Sequence, residues 1–171
     1  DSFTASAQKW LMGPREIGLL FVRRSRIDAI WPGVVGVGWG TGTTPTTVGA
    51  RKFETMGQRD DAATAGLAAA IEFHERLGPA RVGARIRELA DRLYDGLARR
   101  GLPLVTPAPA ELRLGVVIVR ADAETAKQRH EALYRRHRII GSNTGGVRFS
   151  PNVCNTLEDV DRTIEVVAGL G

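Results

Sequence analysis

A chain of 171 residues with 43% hydrophobic and 25% charged side chains is long enough to bury a core, as one ordinary domain or one and a half smaller ones. Its formal charge of +5 suits a small anionic ligand, but the arginines are spread along the chain among 19 acids, the pattern of solvated helix faces rather than of a nucleic-acid footprint. Cys154, the single cysteine, excludes an internal disulfide framework and any multi-thiolate metal site, and no stretch approaches the roughly 20 apolar residues that cross a bilayer.

The opening DSFTASAQKW lacks the charged lead and apolar run of a signal peptide and reads as the interior of a protein. A reducing, cytoplasmic setting is the expectation, with no membrane and no nucleic acid as partner. After Gly13-Pro14, GLLFVR (residues 18–23) has the length of a buried strand. WPGVVGVGWGTGTTPTTVG (residues 31–49) is rich in Gly, Thr and Pro, and a loop of that length points to a lid or binding role. Its Gly-X-Gly repeats lack both the Gly-Lys-Ser/Thr of a phosphate-binding loop and the strand–turn–helix setting of a dinucleotide fingerprint.

Residues 60–78 are predicted as a helix, with Asp60 and Asp61 at its start and Gly78-Pro79 at its stop. A second helix follows, in which Val82, Ile86, Leu89, Leu93 and Leu97 form one apolar stripe with Tyr94 at its edge; Gly101 ends it. Beyond it, LPLVTPAPAEL and LGVVIVRA read as strands, AETAKQRHEALYRRH as a helix, RIIGSN and GGVRFSP as a short strand pair, and TLEDVDRTIEVVAGL as a closing helix. Thr156 and Asp159 have the spacing of a capped helix start. These elements form a small α+β unit of about seventy residues.

Lysine is used three times against 21 arginines, and Lys9 stands in SAQKWLMGPREIGLLFVR. A lysine acts as a nucleophile only when its amine is unprotonated, which requires desolvation or nearby cations. Trp10, Leu11 and Met12 are apolar neighbours, and Gly13-Pro14 forces a turn that exposes the amine. Ser6 stands three residues upstream, a donor for an anionic group beside the amine, as the phosphate of a pyridoxal cofactor would be.

This segment resembles the cofactor-lysine segment of the class V aminotransferase family, fold type I pyridoxal-phosphate enzymes, whose pattern is Ser-x-His-Lys followed by Gly-Pro-Lys/Arg-Gly-x-Gly. The resemblance implies that Lys9 carries pyridoxal 5'-phosphate as a Schiff base and that Ser6 contacts its phosphate. Gln8 replaces the usual histidine and is carried over as a phosphate contact; Glu16 stands where glycine is common. KFETMGQRDDA (residues 52–62) resembles the family's Phe-Glu-x-Gly-Thr element, so that Gly57 and Gln58 would hold the phosphate of a partner subunit. This implies a homodimer with a shared site, and its Gly-Gln-Arg-Asp form is most like the isopenicillin N epimerase-like branch. GGVRFSPNVCNTLEDVDRTIEVV resembles the family's carboxylate-binding signature, which puts Arg148 on the substrate α-carboxylate; a planar guanidinium suits that two-pronged grip. Asn155 and Thr156 read as structural.

Cysteine desulfurases belong to the same family and use a cysteine ahead of this arginine. Cys154 lies after Arg148 and reads as a small buried apolar residue. His74, His130 and His137 fall on helical stretches without metal-ligand spacing, so no metal is expected. The implied fold is α/β: the C-terminal part of an aspartate aminotransferase-like large domain (residues 1–78), a linking helix (79–100) and a small α+β domain (101–171). The resemblance covers only the second half of a typical member, which leads us to expect a longer polypeptide. Its absent half would hold the ring-stacking and pyridine-nitrogen partners. The expected activity is at the α-carbon of an amino acid or related amine, as an epimerase or aminotransferase. A C–S lyase or cysteine desulfurase-like enzyme is the alternative, and a basic noncatalytic binding fragment is the rival of another class.

Overall fold

The computed structural model describes residues 1–35, 49–54 and 60–170. It divides into two compact units, Asp1–Arg76 and Leu77–Gly171.

In the first unit, β1 (Ser2–Ser6) and β2 (Gly18–Val22) form an antiparallel ladder running from Ser2 opposite Val22 to Ser6 opposite Gly18. β2 is the strand expected from its apolar run, but not a buried one: Leu19, Leu20 and Phe21 are exposed and only Val22 is buried. β1 carries no such signal; its Ser/Thr-rich sequence is extended because β2 supplies the partner its backbone needs. Short 3₁₀ turns cover Arg24–Arg26 and Gly49–Phe53. Most of the long loop expected over residues 31–49 lies outside the described residues. The helix α1 (Asp61–Leu77) starts where the two aspartates predict: the Asp60 carboxylate accepts from the Ala63 amide at 2.9 Å.

The second unit is built on α2 (Pro79–Arg99). Proline at its first position costs no hydrogen bond there, and Gly78 (φ 87°) and Gly101 (φ 73°) bracket it in conformations that favour glycine. Leu89, Leu93 and Leu97 of the predicted stripe are buried, as are Ala90 and Gly96. They pack with β3 (Val117–Val119), α3 (Ala123–His137), β4 (Val147–Phe149) and α4 (Leu157–Ala168) into one core that includes Leu133, Phe149, Val160 and Ile164. Fully burying each such leucine contributes about 1.5–3 kcal/mol. Gly96 lets α2 and α4 approach closely, since a Cβ there would lie 2.3 Å from Ile164 Cδ1. Thr156 and Asp159 form a reciprocal capping box at the start of α4, as their spacing predicts.

Two strand expectations are corrected. Residues 102–112 make only an isolated bridge, Leu104 to Val119, and a 3₁₀ turn at Ala110–Leu112. Pro103, Pro107 and Pro109 have no N–H to donate to a ladder; instead the Thr106 hydroxyl accepts from the Ile118 amide at 2.9 Å. The segment is clamped through buried Arg113, which lies 4.0 Å over the Tyr94 ring and 3.3 Å from Asp91. RIIGSN likewise pairs with β4 only through Ser142 and Arg148, because β4 takes β3 as its ladder partner. Arg138 turns left-handed (φ 57°) at the end of α3, and Ile140 is left 77% exposed.

Candidate active site

In the first unit the candidate residues lie in and beside the connection between β1 and β2. The ladder continues one step past Ser6, through the Ala7 amide to the Ile17 carbonyl at 3.0 Å, and then opens. Ala7 is fully buried and is the anchor of the connection: its carbonyl accepts from the Gly13 amide at 2.8 Å. Between these points the Met12 amide donates to the Lys9 carbonyl at 2.9 Å, closing a tight turn that holds Lys9 at its first position. Met12 (φ 56°) and Glu16 (φ 63°) are both left-handed, a conformation that costs a non-glycine residue about 1–2 kcal/mol. Strain of this kind concentrates where a turn must present a group.

This pinned turn projects three functional groups. Ser6, Gln8 and Lys9 are all exposed, and none has a side-chain partner among the described residues. An amine flanked by a hydroxyl and an amide, each unengaged, is a donor set that fits an aldehyde-bearing phosphate ester, and the replacement of histidine by Gln8 keeps a donor at its position. The β1–β2 ladder, which the sequence did not signal, brings the two flanks of the lysine segment together. Gly57 and Gln58 lie outside the described residues.

The second unit, taken by itself, carries one further candidate. Arg148 is the middle residue of β4, opposite Ile118. Its neighbours Val147 and Phe149 point into the core, so by strand alternation the half-buried guanidinium is carried on the opposite face. Its backbone is held by a two-bond bridge to Ser142: its amide donates to the Ser142 carbonyl at 2.7 Å and its carbonyl accepts from the Ser142 amide at 2.9 Å. Gly145 (φ 74°) and Gly146 (φ 125°) feed the chain into β4, and a Cβ on Gly146 would lie 2.3 Å from the Val119 carbonyl oxygen. Arg148 Nε is buried and has no hydrogen-bond partner among the described residues. An orphaned buried donor costs about 1–3 kcal/mol, which an incoming carboxylate would relieve.

The remaining sequence candidates fall into place or are corrected. Asn155 is structural, accepting from the Asn152 amide at 2.9 Å. Cys154 is exposed, against the expectation that it is buried: it sits in the turn between Pro151 and α4, where the buried positions are taken by Pro151 and Val160. His74, His130 and His137 are partly buried, and no cluster of metal-ligating side chains occurs among the described residues. What sequence reasoning missed is the support: Ala7 as buried anchor, and the left-handed Met12 and Glu16.

The profile of the class-V aminotransferases matches residues 1–163. The chain belongs to the class V aminotransferase family. It is 31% identical to isopenicillin N epimerase of Streptomyces clavuligerus over 99% of this chain and 47% of that protein. It is 27% identical to a probable hercynylcysteine sulfoxide lyase of Mycobacterium tuberculosis (strain CDC 1551 / Oshkosh) over 98% of this chain and 44% of that protein. Among solved structures it superposes on the apo cysteine desulfurase of Thermococcus onnurineus NA1 with a TM-score of 0.80 at 26% identity, over 99% of this chain and 46% of that one. The chain therefore spans about half the length of the curated relatives it matches. Its fold is that of a fold type I enzyme, with mixed helices and strands, and the cofactor of this family is pyridoxal 5'-phosphate. Among the described residues no helix is long and apolar enough to cross a membrane.

Proposed function

We propose that the protein is a pyridoxal-phosphate-dependent enzyme acting at the α-carbon of an amino acid or related amine, as an epimerase or aminotransferase. The observation that carries this reading is the pinned Lys9 turn, with its amine, hydroxyl and amide all free of partners among the described residues, in a chain of the class V family. Residues 1–78 would be the C-terminal part of the cofactor-binding domain, 79–100 a linking helix and 101–171 the small domain.

Pyridoxal phosphate, when bound, withdraws electrons from the substrate α-carbon and makes its proton removable. Lys9 would hold the cofactor through Nζ. With its Nζ unprotonated, Lys9 would take the α-proton as base and return it as acid. The atom and face to which Nζ returns the proton separate amino transfer from inversion. The Ser6 hydroxyl and the Gln8 amide would donate to the phosphate, and Gly57 and Gln58 of a second subunit would add to that grip, which implies a homodimer. Arg148 takes the substrate carboxylate on its orphaned Nε and an adjacent nitrogen, which fixes the orientation of the α-carbon bonds.

A second reading, C–S bond cleavage, is favoured by the likeness to proteins described as a hercynylcysteine sulfoxide lyase and a cysteine desulfurase. Borohydride reduction of the full-length protein loaded with pyridoxal phosphate, followed by peptide mapping, tests the core of the proposal. A pyridoxyl group on Lys9 is expected, and its absence there refutes the reading. Products from a panel of amino acids then separate keto acid, inverted isomer, and pyruvate with a released thiol.

A further inference from the structure

Gly66 is out of place in α1 by local preference. The helix contains six alanines, at positions 62, 63, 65, 68, 69 and 70, and glycine in a helix interior costs about 1 kcal/mol relative to alanine. The structure supplies the reason: a Cβ on Gly66 would stand 2.7 Å from Cγ and 3.5 Å from Cδ of Pro14. The missing side chain is the seat of the proline ring. Pro14 is rigid and follows Gly13, whose amide is bound to the Ala7 carbonyl and whose own Cβ would lie 3.1 Å from that oxygen. Ala7 is fully buried, two residues before Lys9, and the Lys9 carbonyl closes the turn with Met12.

We infer that Gly66 is a positioning residue for Lys9: by admitting the Pro14 ring it sets the height at which α1 holds the turn that presents the amine. This rests on reading Lys9 as the cofactor lysine. A 17-residue helix resists displacement better than an open connection does, so a methyl group at position 66 pushes Pro14 outward and shifts the turn. An error of about 1 Å in a reacting group is enough to cost one to two orders of magnitude.

The test uses the full-length protein in wild-type form and as Gly66→Ala, Pro14→Ala and the double variant. Visible absorbance gives half-saturation by pyridoxal phosphate, hydrogen exchange reports the Met12 and Gly13 amides without cofactor, and borohydride mapping gives the extent of labelling at Lys9. Gly66→Ala is expected to raise half-saturation roughly tenfold or more and to speed exchange at Gly13. Removing the ring in the double variant is expected to recover most of that loss. An unchanged half-saturation in Gly66→Ala, or a double variant no better than the single, overturns the inference while labelled wild-type Lys9 leaves the functional reading standing. No label on wild-type Lys9 overturns both. If Gly66→Ala does not fold, Pro14→Ala on an unaltered helix decides: half-saturation equal to wild type overturns the inference.

Discussion

Gly146→Ala is the sharpest single perturbation of the Arg148 strand. Two costs add. The φ of 125° at Gly146 lies in a region that side chains avoid, at about 1–3 kcal/mol. The new methyl would also stand 2.3 Å from the Val119 carbonyl oxygen and 3.1 Å from Ile118 Cγ2, an overpacking cost of about 1–3 kcal/mol. Because the obstructing atom belongs to β3 backbone, relief means moving one strand of the β3–β4 pair. The sum, about 2–6 kcal/mol, is a large part of the stability of an ordinary domain. Gly83→Ala is the internal control: it sits within α2 with nothing within 4 Å of its Cβ position and is expected to stabilise by about 0.5–1 kcal/mol. Urea unfolding of the full-length protein followed by far-UV circular dichroism measures both, and hydrogen exchange at the Arg148 amide localises the loss. A Gly146→Ala loss below about 0.5 kcal/mol, within the range of an ordinary surface substitution, would refute this account of how β4 is placed.

Leu97→Ala, which removes a fully buried side chain from the α2 stripe, is expected to cost about 2–5 kcal/mol by the same unfolding measurement. Thr156→Ala should cost about 1 kcal/mol, since the Asp159 amide loses its cap acceptor. The cap carboxylates set an acid limit. The Thr125 amide holds Asp122, and the Thr156 amide holds Asp159, below the usual carboxylate range. In that window the unfolded chain binds the extra protons, so this stability is complete above the ordinary carboxylate pKa and is lost as pH falls through the depressed values. Asp122→Asn with Asp159→Asn should flatten the acid limb of a melting-temperature profile; an unchanged limb counts against the caps as its origin. Lys9→Arg keeps the charge and should abolish both pyridoxyl labelling and cofactor-dependent turnover. Arg148→Lys should raise KM for an α-amino acid by about tenfold or more, since a point charge replaces a two-pronged grip; an unchanged KM would remove Arg148 from the carboxylate.

The helices were legible because each signal was local. The alanine-rich run after Asp60-Asp61, the apolar stripe from Leu89 to Leu97 and the Thr156/Asp159 spacing each depend on neighbours within two turns of chain. The site residues were legible only through motif resemblance: periodicity says nothing about why Lys9 or Arg148 should be reactive. Strand pairing was the least legible. β1 has no apolar run, and its partner β2 begins twelve residues after its end; β4 chose β3 across an intervening helix instead of adjacent RIIGSN. Burial of Cys154 was misread for the same reason, since the exposure of a turn residue depends on which neighbours reach the core first.

What the sequence determined by itself was therefore the helical frame, the caps and the identity of the donor groups, all set by local chemistry. Tertiary contact decided the rest: the pairing of β1 with β2, the Pro14 ring against Gly66, the backbone of Gly146 against Val119 and the burial of Arg148 Nε. Each of these is a meeting of residues distant in the chain, and steric exclusion and unsatisfied hydrogen bonds become defined only when such residues are brought together.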